Sequence, residues 1–336
     1  MYSTLGSTIH LADDARASAA AALRSLPDLG AALPDSDAQP YLEHGAKVLR
    51  NVLPVRCLDE LAAWRREPTS WLTLTNLPAQ AAEVPTPQDG FCDERLVTAP
   101  NLVHFGLLRL LGLDPVAYRW ENEGRLIRNV APRPEAARTN TSWGYAQPLD
   151  WHTDDSVLDH GRDARSAEAI PHYLSFYGMR NTEGVPTDLL PVDAVLADLP
   201  DRVVAALRRS EYSVTAPESY RADEHGRPPA KDAVPMLWTL PDGNTGLRYG
   251  PGLITGLTPQ ARSALEAFEA VTGAMDGLPV LIEAGGFLVF DNRRVMHRRV
   301  PFRPAAAGHA RWLRRCYALG HAAVPVTDAV PLRPTP

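Results

Sequence analysis

The sequence predicts a mainly β fold with flanking helices, built on a double-stranded β-helix, which is a jelly roll of the cupin kind. From about residue 115, short runs rich in β-branched and aromatic residues recur between turn-forming residues, which indicates many short strands. Only two long helical patterns interrupt these runs, and the 31 prolines argue against a helical bundle. No segment repeats at a fixed period, which excludes solenoids and propellers.

The N-terminal part is predicted to be largely helical. Residues 12–26 are rich in alanine after an aspartate-rich start, and residues 41–65 also have a helical pattern. Residues 70–77 (SWLTLTNL) predict a strand, and a proline-rich loop follows over 78–100. A third helix is predicted over residues 101–112, where a glycine stops it.

The core alternates short predicted strands with two helices. The strands are expected within residues 124–130, 148–154, 172–179, 235–240, 280–284, 287–290 and 311–319, and the helices over 191–208 and 258–275. We therefore expect a single domain over residues 1–336, with a helical N-terminal part (1–69) and a jelly-roll core with helical insertions (70–320).

Composition excludes several classes of protein. A net charge of −6 argues against a nucleic acid or an anionic membrane as partner, because both favour a basic surface. Neither a secretory signal nor an apolar run of ~18 residues is present. The three cysteines are dispersed and form no C-x-x-C pair, which argues against a disulfide framework. A soluble cytoplasmic protein is expected, and nothing indicates its oligomeric state.

Two histidines and one aspartate form a candidate metal site. His152 and Asp154 lie two residues apart in a predicted strand, so both side chains point to the same face. His297 follows the segment GGFLVFDNRR, and the facing sheets of a jelly roll allow it to complete the set. Two imidazoles and one carboxylate leave three coordination positions open, which suits iron(II) oxygenases. Taken singly, each segment also fits a surface H-x-D pair or a buried structural histidine.

Residues 310–319 (ARWLRRCYAL) predict a strand that buries arginine. Strand alternation places Arg311, Arg315 and Tyr317 on one face, and Trp312 and Arg314 on the other. One face must look inward, and an arginine there needs an anionic partner because a buried unpaired charge is costly. That partner is either a carboxylate of the protein or a dicarboxylic cosubstrate held by bidentate hydrogen bonds.

Together these motifs resemble the clavaminate synthase-like branch of the TauD-type iron(II)/2-oxoglutarate dioxygenases, which includes asparagine and arginine hydroxylases. The resemblance rests on H-x-D, on the segment from the glycine pair through D-N-R-R to the distal histidine, and on R-W-L-x-R. It implies a jelly-roll core, iron(II) held by His152, Asp154 and His297, 2-oxoglutarate as cosubstrate and O2 as oxidant. A carboxylate at position 154 disfavours halogenation, because related halogenases have a small residue there.

The resemblance also implies roles for residues around the metal. Arg311 lies 14 residues after His297, where the family's 2-oxoglutarate arginine falls, and Thr187 is its implied hydroxyl partner. Arg315, 18 residues after His297, matches an arginine that binds the carboxylate of an amino acid substrate. Thr187 also fits a turn-stabilising threonine.

Two further polar residues are implied substrate contacts. Asn122 and Ser142 lie near positions where relatives place amide or hydroxyl groups around an amino acid, with Glu121 as an alternative to Asn122. They also fit ordinary loop residues. One departure concerns the substrate: relatives acting on basic or amide side chains often carry acidic residues after an Arg-Tyr pair, which here reads Arg248-Tyr249-Gly-Pro-Gly. A neutral or less polar side chain is therefore expected.

Residues 155–171 are expected to form a lid, because they are polar and directly follow the metal ligands. His160 and His172, near this lid, are expected to be solvated or structural.

The sequence thus predicts a hydroxylase of a free amino acid or amino-acid-like metabolite, in natural-product biosynthesis. Two alternatives stay open. One is a desaturase or cyclase that uses the same chemistry on a related or carrier-tethered substrate, and the other is a non-catalytic cupin-like binding protein. The expected partner is a small molecule, with neither nucleic acid nor membrane.

Overall fold

The computed structural model describes residues 6–25, 33–79, 83–118, 121–158, 170–217 and 230–320. In these residues the α-helices are α1 (Asp13–Arg24), α2 (Gln39–Val52), α3 (Val55–Arg66), α4 (Thr98–Leu111), α5 (Val192–Ala197), α6 (Asp201–Leu207) and α7 (Pro259–Ala274). The strands are β1 (Gly6–His10), β2 (Trp71–Thr75), β3 (Leu113–Val116), β4 (Ile127–Val130), β5 (Leu149–His152), β6 (Tyr173–Arg180), β7 (Thr187–Pro191), β8 (Tyr212–Thr215), β9 (Ala230–Val234), β10 (Leu237–Thr239), β11 (Thr245–Leu247), β12 (Ile254–Gly256), β13 (Leu278–Val280), β14 (Phe287–Asp291), β15 (Val295–Arg299) and β16 (Trp312–Gly320).

The helices follow the predicted pattern, with two breaks at proline. The predicted helix over 41–65 is divided into α2 and α3 at Pro54. The predicted helix over 191–208 is divided into α5 and α6, and Pro200 is the residue immediately before α6. Gly112 ends α4 with φ of 70°, a left-handed conformation that glycine adopts without strain. The hydroxyl of Thr258 accepts a hydrogen bond from the Ala261 amide and caps α7.

A seven-stranded sheet, called here the large sheet, forms one layer of the core. Its strand order is β1-β2-β14-β6-β16-β3, and β4 also pairs with β16. The N-terminal part is therefore not helical throughout, because β1 pairs in parallel with β2. Five residues of mixed polarity (GSTIH) give too short a pattern to predict this strand, and the neighbouring strand β2 determines its conformation.

A four-stranded sheet, called here the small sheet, faces the large one, with the order β13-β7-β15-β5. The rings of Phe176 and Phe290, from the large sheet, lie 6.4 and 5.2 Å from the ring of His297 in the small sheet. This face-to-face arrangement confirms the jelly roll. Two of the small sheet's strands were not predicted: β7 was assigned in part to a helix, and the basic residues of β15 obscured its alternation. The strand expected within 280–284 lies earlier, at Leu278–Val280.

Helices α2 and α4 pack on the other face of the large sheet, so both faces of that sheet are buried. Along β6, Leu174 and Phe176 belong to the core between the sheets, whereas Tyr173 and Tyr177 pack with the helices. The sequence required one face of residues 310–319 to look inward and to bury an arginine, and the structure buries arginine on both faces. Arg314, on the second face, is fully buried beneath α4.

Two smaller sheets, β12-β8-β9 and β10-β11, complete the strands of the described part. The longest helix there, α7, has 16 residues, and none of the described helices has both the length and the hydropathy to cross a membrane.

Candidate active site

A cavity of about 330 Å3 opens between the two sheets. Such a volume is typical of a site for a small molecule. Its wall brings together His152, Asp154, Thr187, His297 and Arg311, which lie far apart in the sequence. Arg315 and Ser142 line the same cavity. Of the candidate residues from the sequence, Asn122 alone lies away from it.

His152 and His297 meet because their strands pair in register. The two residues are directly opposite on β5 and β15, with ring centroids 4.1 Å apart. Nε2 of His152 lies 3.3 Å from Oδ1 of Asp154, and Nε2 of His297 lies 3.8 Å from the same oxygen. The possible ligand atoms of the three residues lie within 4.8 Å of one another. Among the described residues, this is the one such group of His, Cys, Asp or Glu side chains.

The main chain around Asp154 is held by Asn292, which is fully buried. The Asn292 side chain accepts a hydrogen bond from the Asp154 amide (2.8 Å) and donates to the Asp154 carbonyl (3.0 Å). The neighbouring Thr153 amide donates to the Tyr249 carbonyl at 2.8 Å. Asp154 thus sits just past the end of β5 on a backbone fixed from two sides. Asn292 belongs to the D-N-R-R segment, and the sequence offered no reason to assign it this role.

Hydrogen bonding and burial leave both imidazoles ready to act as ligands. Nδ1 of His152 lies 2.7 Å from the Asp150 carbonyl, which only accepts, so Nδ1 donates this hydrogen bond and Nε2 is the nitrogen directed toward Asp154. Burial and, to a smaller extent, the nearby His152 lower the pKa of His297 to about 3, so His297 is neutral at physiological pH. A neutral imidazole is the form that binds metals.

The Asp154 carboxylate divides its two oxygens between different partners. Oδ1 faces the two histidines, whereas Oδ2 accepts hydrogen bonds from Nη1 of Arg315 (2.8 Å) and the hydroxyl of Tyr317 (3.0 Å). Burial raises the pKa of Asp154, but the charge of Arg315 and the contact with His152 outweigh it and hold that pKa well below the usual range. The carboxylate is therefore ionised and offers one oxygen toward the histidines.

These observations fit the metal implied by the resemblance. Two imidazoles and one ionised carboxylate converge from adjacent positions, as in the two-histidine, one-carboxylate sites of non-haem iron(II) enzymes. The groups that bind His152 and Asp154 from the other side, the Asp150 carbonyl, Arg315 and Tyr317, are also of the kinds that orient metal ligands in such sites.

Arg311 lies at another part of the cavity wall. The Glu183 carboxylate accepts a hydrogen bond from its backbone amide at 2.9 Å, but the Arg311 guanidinium forms no salt bridge among the described residues. Arg311 is 3% exposed, and its Nη2 donates to the Thr187 hydroxyl at a long 3.4 Å. Burial, together with the nearby charge of Arg299, lowers the pKa of Arg311 to about 9. The expected neighbours Arg311 and Thr187 are thus together, and the guanidinium has room for an anion.

Arg315 and Glu121 form the polar centre of a third part of the wall. Nη2 of Arg315 donates to Oε1 of Glu121 at 2.9 Å, and that oxygen also accepts a hydrogen bond from Arg128. Nε of Arg128 in turn donates to the Ser142 hydroxyl at 2.7 Å. Ser142 therefore lines the cavity as expected, while engaged by an arginine.

The structure places Asn122 behind this wall. Its side-chain amide donates to the carbonyls of Ile127 (3.0 Å) and Arg125 (3.3 Å), and it is Glu121 that lines the cavity. The cause is local backbone conformation: Asn122 and Glu123 both have positive φ, so their side chains do not alternate as in a strand.

Most of the expected lid falls on residues 159–169, which lie outside the described residues, as does His160. Asp155 to Leu158 and residues 170–171 are described, and all are buried. His172 has a structural role, because its Nδ1 accepts a hydrogen bond from the Gly320 amide at 3.2 Å.

Comparison with known proteins places this arrangement in a family. The family model described as "Taurine catabolism dioxygenase TauD, TfdA family" matches residues 101–317. The enduracididine beta-hydroxylase of Streptomyces hygroscopicus is 26% identical over 92% of this chain and 93% of its own length. The L-asparagine oxygenase of Streptomyces coelicolor is 26% identical over 79% of this chain and 76% of its own length.

Solved structures show the same fold. An asparagine oxygenase in complex with Fe(II), 2S,3S-3-hydroxyasparagine and succinate superposes with a TM-score of 0.78, at 24% identity and 93% coverage of both chains. The non-heme iron oxygenase OrfP in complex with Fe and alpha-ketoglutaric acid superposes with a TM-score of 0.74, at 23% identity and 92% coverage of both chains.

Proposed function

The chain belongs to the TauD/TfdA family of dioxygenases, and on that premise we propose that it is an iron(II)- and 2-oxoglutarate-dependent hydroxylase of a free amino acid or amino-acid-like metabolite. One observation carries the proposal. A two-histidine, one-carboxylate group shares a single cavity with a buried arginine whose guanidinium forms no salt bridge among the described residues. The relatives named enduracididine beta-hydroxylase and L-asparagine oxygenase support a role in natural-product biosynthesis.

Each cavity residue then has a part in the reaction. His152, Asp154 and His297 would hold iron(II), and Arg311 with Thr187 would hold the distal carboxylate of 2-oxoglutarate. When bound, iron(II) and 2-oxoglutarate together with O2 supply the chemistry: one oxygen atom is inserted into a C–H bond of the substrate, and 2-oxoglutarate becomes succinate and carbon dioxide. The task of the protein is to place the C–H bond and to keep water away.

The substrate's amino acid head group would lie against Arg315 and Glu121. Arg315 offers a guanidinium to a carboxylate, and Glu121 offers a carboxylate to an ammonium group. Because Arg315 also binds Oδ2 of Asp154, a single side chain would contact both the substrate head group and a metal ligand. This proximity favours oxidation of a carbon near the α-carbon.

One stretch of the cavity wall, residues 250–253, has no charged side chain. Gly250, Pro251, Gly252 and Leu253 line the cavity after the Arg248-Tyr249 pair. This stretch supports a neutral side chain on the substrate, because a cationic side chain buried there would have no carboxylate from these four residues.

We further propose that the chain acts as one domain and works in the cytoplasm. Pairing of β1 with β2 joins the N-terminal part to the large sheet and supports the first point. Cys57 and Cys316 are buried and unpaired, and no disulfide links the described cysteines, which agrees with a reducing compartment.

The direct test is succinate formation by purified protein with iron(II) and 2-oxoglutarate across a panel of neutral, acidic and basic amino acids, with product masses recorded. We expect one neutral amino acid to stimulate succinate and to gain one oxygen atom. Loss of two hydrogens instead would identify a desaturase or cyclase, and slow unstimulated succinate would indicate a tethered or different substrate.

A matched pair of variants separates enzyme from binding protein. Asp154→Asn should abolish succinate formation, whereas Asp193→Asn, which changes a half-exposed carboxylate outside the cavity, should preserve it. If the wild type forms no succinate under any condition and binds no iron(II), the proposal is wrong and a binding protein is supported.

A further inference from the structure

Arg248 is a buried arginine directly after β11, and the reaction described above gives it no part. It is 2% exposed, and its side chain extends to the segment that follows the metal-ligand candidate Asp154. One nitrogen, Nη1, donates hydrogen bonds to the carbonyls of both Ser156 (2.9 Å) and Leu158 (3.1 Å). These two residues belong to a turn over residues 153–158, called here the metal-ligand turn.

The metal-ligand turn is buried although its backbone is irregular. Asp155 has φ of 56°, a left-handed conformation that is unfavourable for a residue with a Cβ, and the Leu158 amide donates to the Asp155 carbonyl at 3.0 Å. All four residues from 155 to 158 are buried. Carbonyls that are buried outside helices and sheets need donors from elsewhere in the protein. Arg248 supplies such a donor to two of them.

The main chain next to Arg248 holds the start of the same turn. The Tyr249 amide donates to the Thr153 hydroxyl at 3.0 Å, and the Thr153 amide donates to the Tyr249 carbonyl at 2.8 Å. The Arg248 amide donates to the Met236 carbonyl at 2.9 Å, which fixes this strand end to the chain before β10. Two successive residues therefore contact the turn both before and after Asp154.

These contacts complement that of Asn292, which bonds the main chain of Asp154 itself. Asn292 and Tyr249 hold Thr153 and Asp154, whereas Arg248 holds the residues that follow. An unfavourable backbone conformation persists only while its surroundings determine it. The part of the turn that contains the left-handed residue is the part that Arg248 contacts.

We propose that Arg248 is a positioning residue of the metal site. It holds the metal-ligand turn closed, so that Oδ1 of Asp154 stays directed to His152 and His297. The inference rests on the proposed function only in requiring a divalent metal at these three residues. It goes beyond that function because Arg248 does not line the cavity and touches none of the three candidate ligands.

A purely structural role for Arg248 makes a different prediction. Its guanidinium lies 5.6 Å from the ring of Trp238, and loss of any buried arginine lowers stability. If stability alone were affected, molecules that remain folded would bind metal as tightly as the wild type. A positioning role instead lowers the metal affinity of the folded protein.

The test uses two variants of Arg248. Arg248→Met keeps an unbranched side chain but removes the donors, whereas Arg248→Lys keeps one charged nitrogen that can replace Nη1 at both carbonyls. Arg180→Met is the control, because Arg180 lies outside the cavity and also donates to carbonyls, those of Gly308 (2.8 Å) and Val84 (3.2 Å). Cobalt(II) affinity is measured by chelator competition at a temperature at which each protein is folded.

We expect Arg248→Met to weaken cobalt(II) binding about tenfold, and Arg248→Lys and Arg180→Met to leave it within about 3-fold of the wild type. Melting temperatures, recorded alongside, should fall in both methionine variants. Equal affinity in Arg248→Met and the wild type, or equal weakening in Arg248→Lys or Arg180→Met, overturns the inference.

A measurement on the wild type keeps the inference testable if Arg248→Met does not fold. If a closed turn favours the metal, the metal favours a closed turn by the same factor. Cobalt(II) should therefore slow hydrogen exchange of the Leu158 amide, which bonds within the turn, about tenfold. Unchanged exchange of this amide with bound metal overturns the inference. If the wild type binds no divalent metal at all, the proposed function fails instead.

Discussion

At the scale of single residues, the asymmetry of the Asp154 carboxylate determines how the metal site is built. With Oδ2 occupied by Arg315 and Tyr317, only Oδ1 is directed to the histidines. A carboxylate held in this way would offer one oxygen to a metal ion. Burial raises the pKa of Tyr317 well above its usual value, so the phenol keeps its proton and donates a hydrogen bond to Oδ2.

Tyr317→Phe should therefore weaken iron(II) binding about tenfold, the lower part of the range for partners of metal ligands, because Arg315 still holds Oδ2. The measurement is a chelator competition for iron(II) or cobalt(II) at fixed pH, which needs no turnover. Tyr212→Phe is the control: its hydroxyl is buried elsewhere and donates to the Ala206 carbonyl at 3.4 Å. Equal metal affinity in wild type and Tyr317→Phe would show that Arg315 alone orients the carboxylate.

The sequence predicted the residues that local spacing relates, and it failed where partners are distant. The pairing of His152 with Asp154 and of Arg311 with Arg315 follows from the alternation of an extended chain. In the structure, Asp154 lies just past β5 and Arg311 just before β16. Glu121 meets Arg315 across 194 positions, a pairing that no local pattern contains. Glu121 rather than Asn122 lines the cavity, where two successive residues with positive φ turn the chain.

At the scale of elements, α2 and α4 cross at a point where neither can carry a side chain. A Cβ on Gly45 would lie 2.0 Å from the Leu102 carbonyl oxygen, and one on Gly106 would lie 2.5 Å from the Gly45 carbonyl carbon. The contacting atoms are backbone, so the helices themselves would have to move apart. This crossing supports the large sheet from behind, since both helices belong to the core on that face.

Gly106→Ala should thus lower the free energy of unfolding by about 1–3 kcal/mol, as overpacking in a core does. Gly273→Ala, in α7 with no atom within 4 Å of the added methyl, should be neutral or stabilising by up to about 1 kcal/mol. Urea unfolding of both variants measures the difference. A neutral Gly106→Ala would mean that the two helices separate without loss.

The second face of β16 contains a buried ionic network under α4. Nη2 of Arg314 donates to Oε2 of Glu94 (2.5 Å) and to Oδ1 of Asn101 (2.6 Å), and Asn101 also donates to Oε2 of Glu94 (2.9 Å). Glu94 follows a loop and Asn101 lies in α4, so this network fixes the loop and the helix to the sheet. The sequence indicated a buried arginine here but not which carboxylate it meets.

Glu94→Gln leaves the buried Arg314 without its counter-charge and should cost about 3 kcal/mol of stability. The comparison is Glu123→Gln, which removes one partner of a surface pair with Arg125 at 3.5 Å and should cost under about 1 kcal/mol. Equal unfolding midpoints in urea for the two variants would show that solvent reaches the network.

At the scale of the whole molecule, buried neutral histidines make the fold sensitive to acid. Burial and, to a smaller extent, the charge of Arg314 lower the pKa of His104 to about 3. Burial also holds the pKa of His172 well below its usual value. The unfolded chain takes up these protons near pH 6.5, whereas the folded protein takes up that of His104 only near pH 3. Stability is therefore complete above about pH 6.5 and declines as the pH falls through this window.

Removing one such histidine should flatten this decline. In metal-free protein, the loss of unfolding free energy between pH 7.5 and pH 5 should be smaller by about 2 kcal/mol in His104→Phe than in the wild type. Phe leaves Ser175 satisfied, since its hydroxyl also donates to the Cys316 carbonyl at 3.1 Å. Parallel pH profiles for the two proteins would show that His104 takes up its proton in the folded state.

Across the whole chain, the sequence predicted the facing-sheet architecture better than it predicted the individual strands. The facing sheets follow from many short alternating strands, and they bring the three metal-ligand candidates together. Strand β1 and the strands β7 and β15 were missed because tertiary pairing, rather than local propensity, holds them in place.

The central claim is that His152, Asp154 and His297 hold iron(II) beside a site for 2-oxoglutarate. Its most direct test is the visible absorbance of the protein when 2-oxoglutarate is added with iron(II) in the absence of oxygen. The account predicts a metal-to-ligand charge-transfer band in the wild type that is lost in His297→Ala. A wild-type protein without the band at saturating iron(II) and 2-oxoglutarate, or a band that persists in His297→Ala, would contradict it.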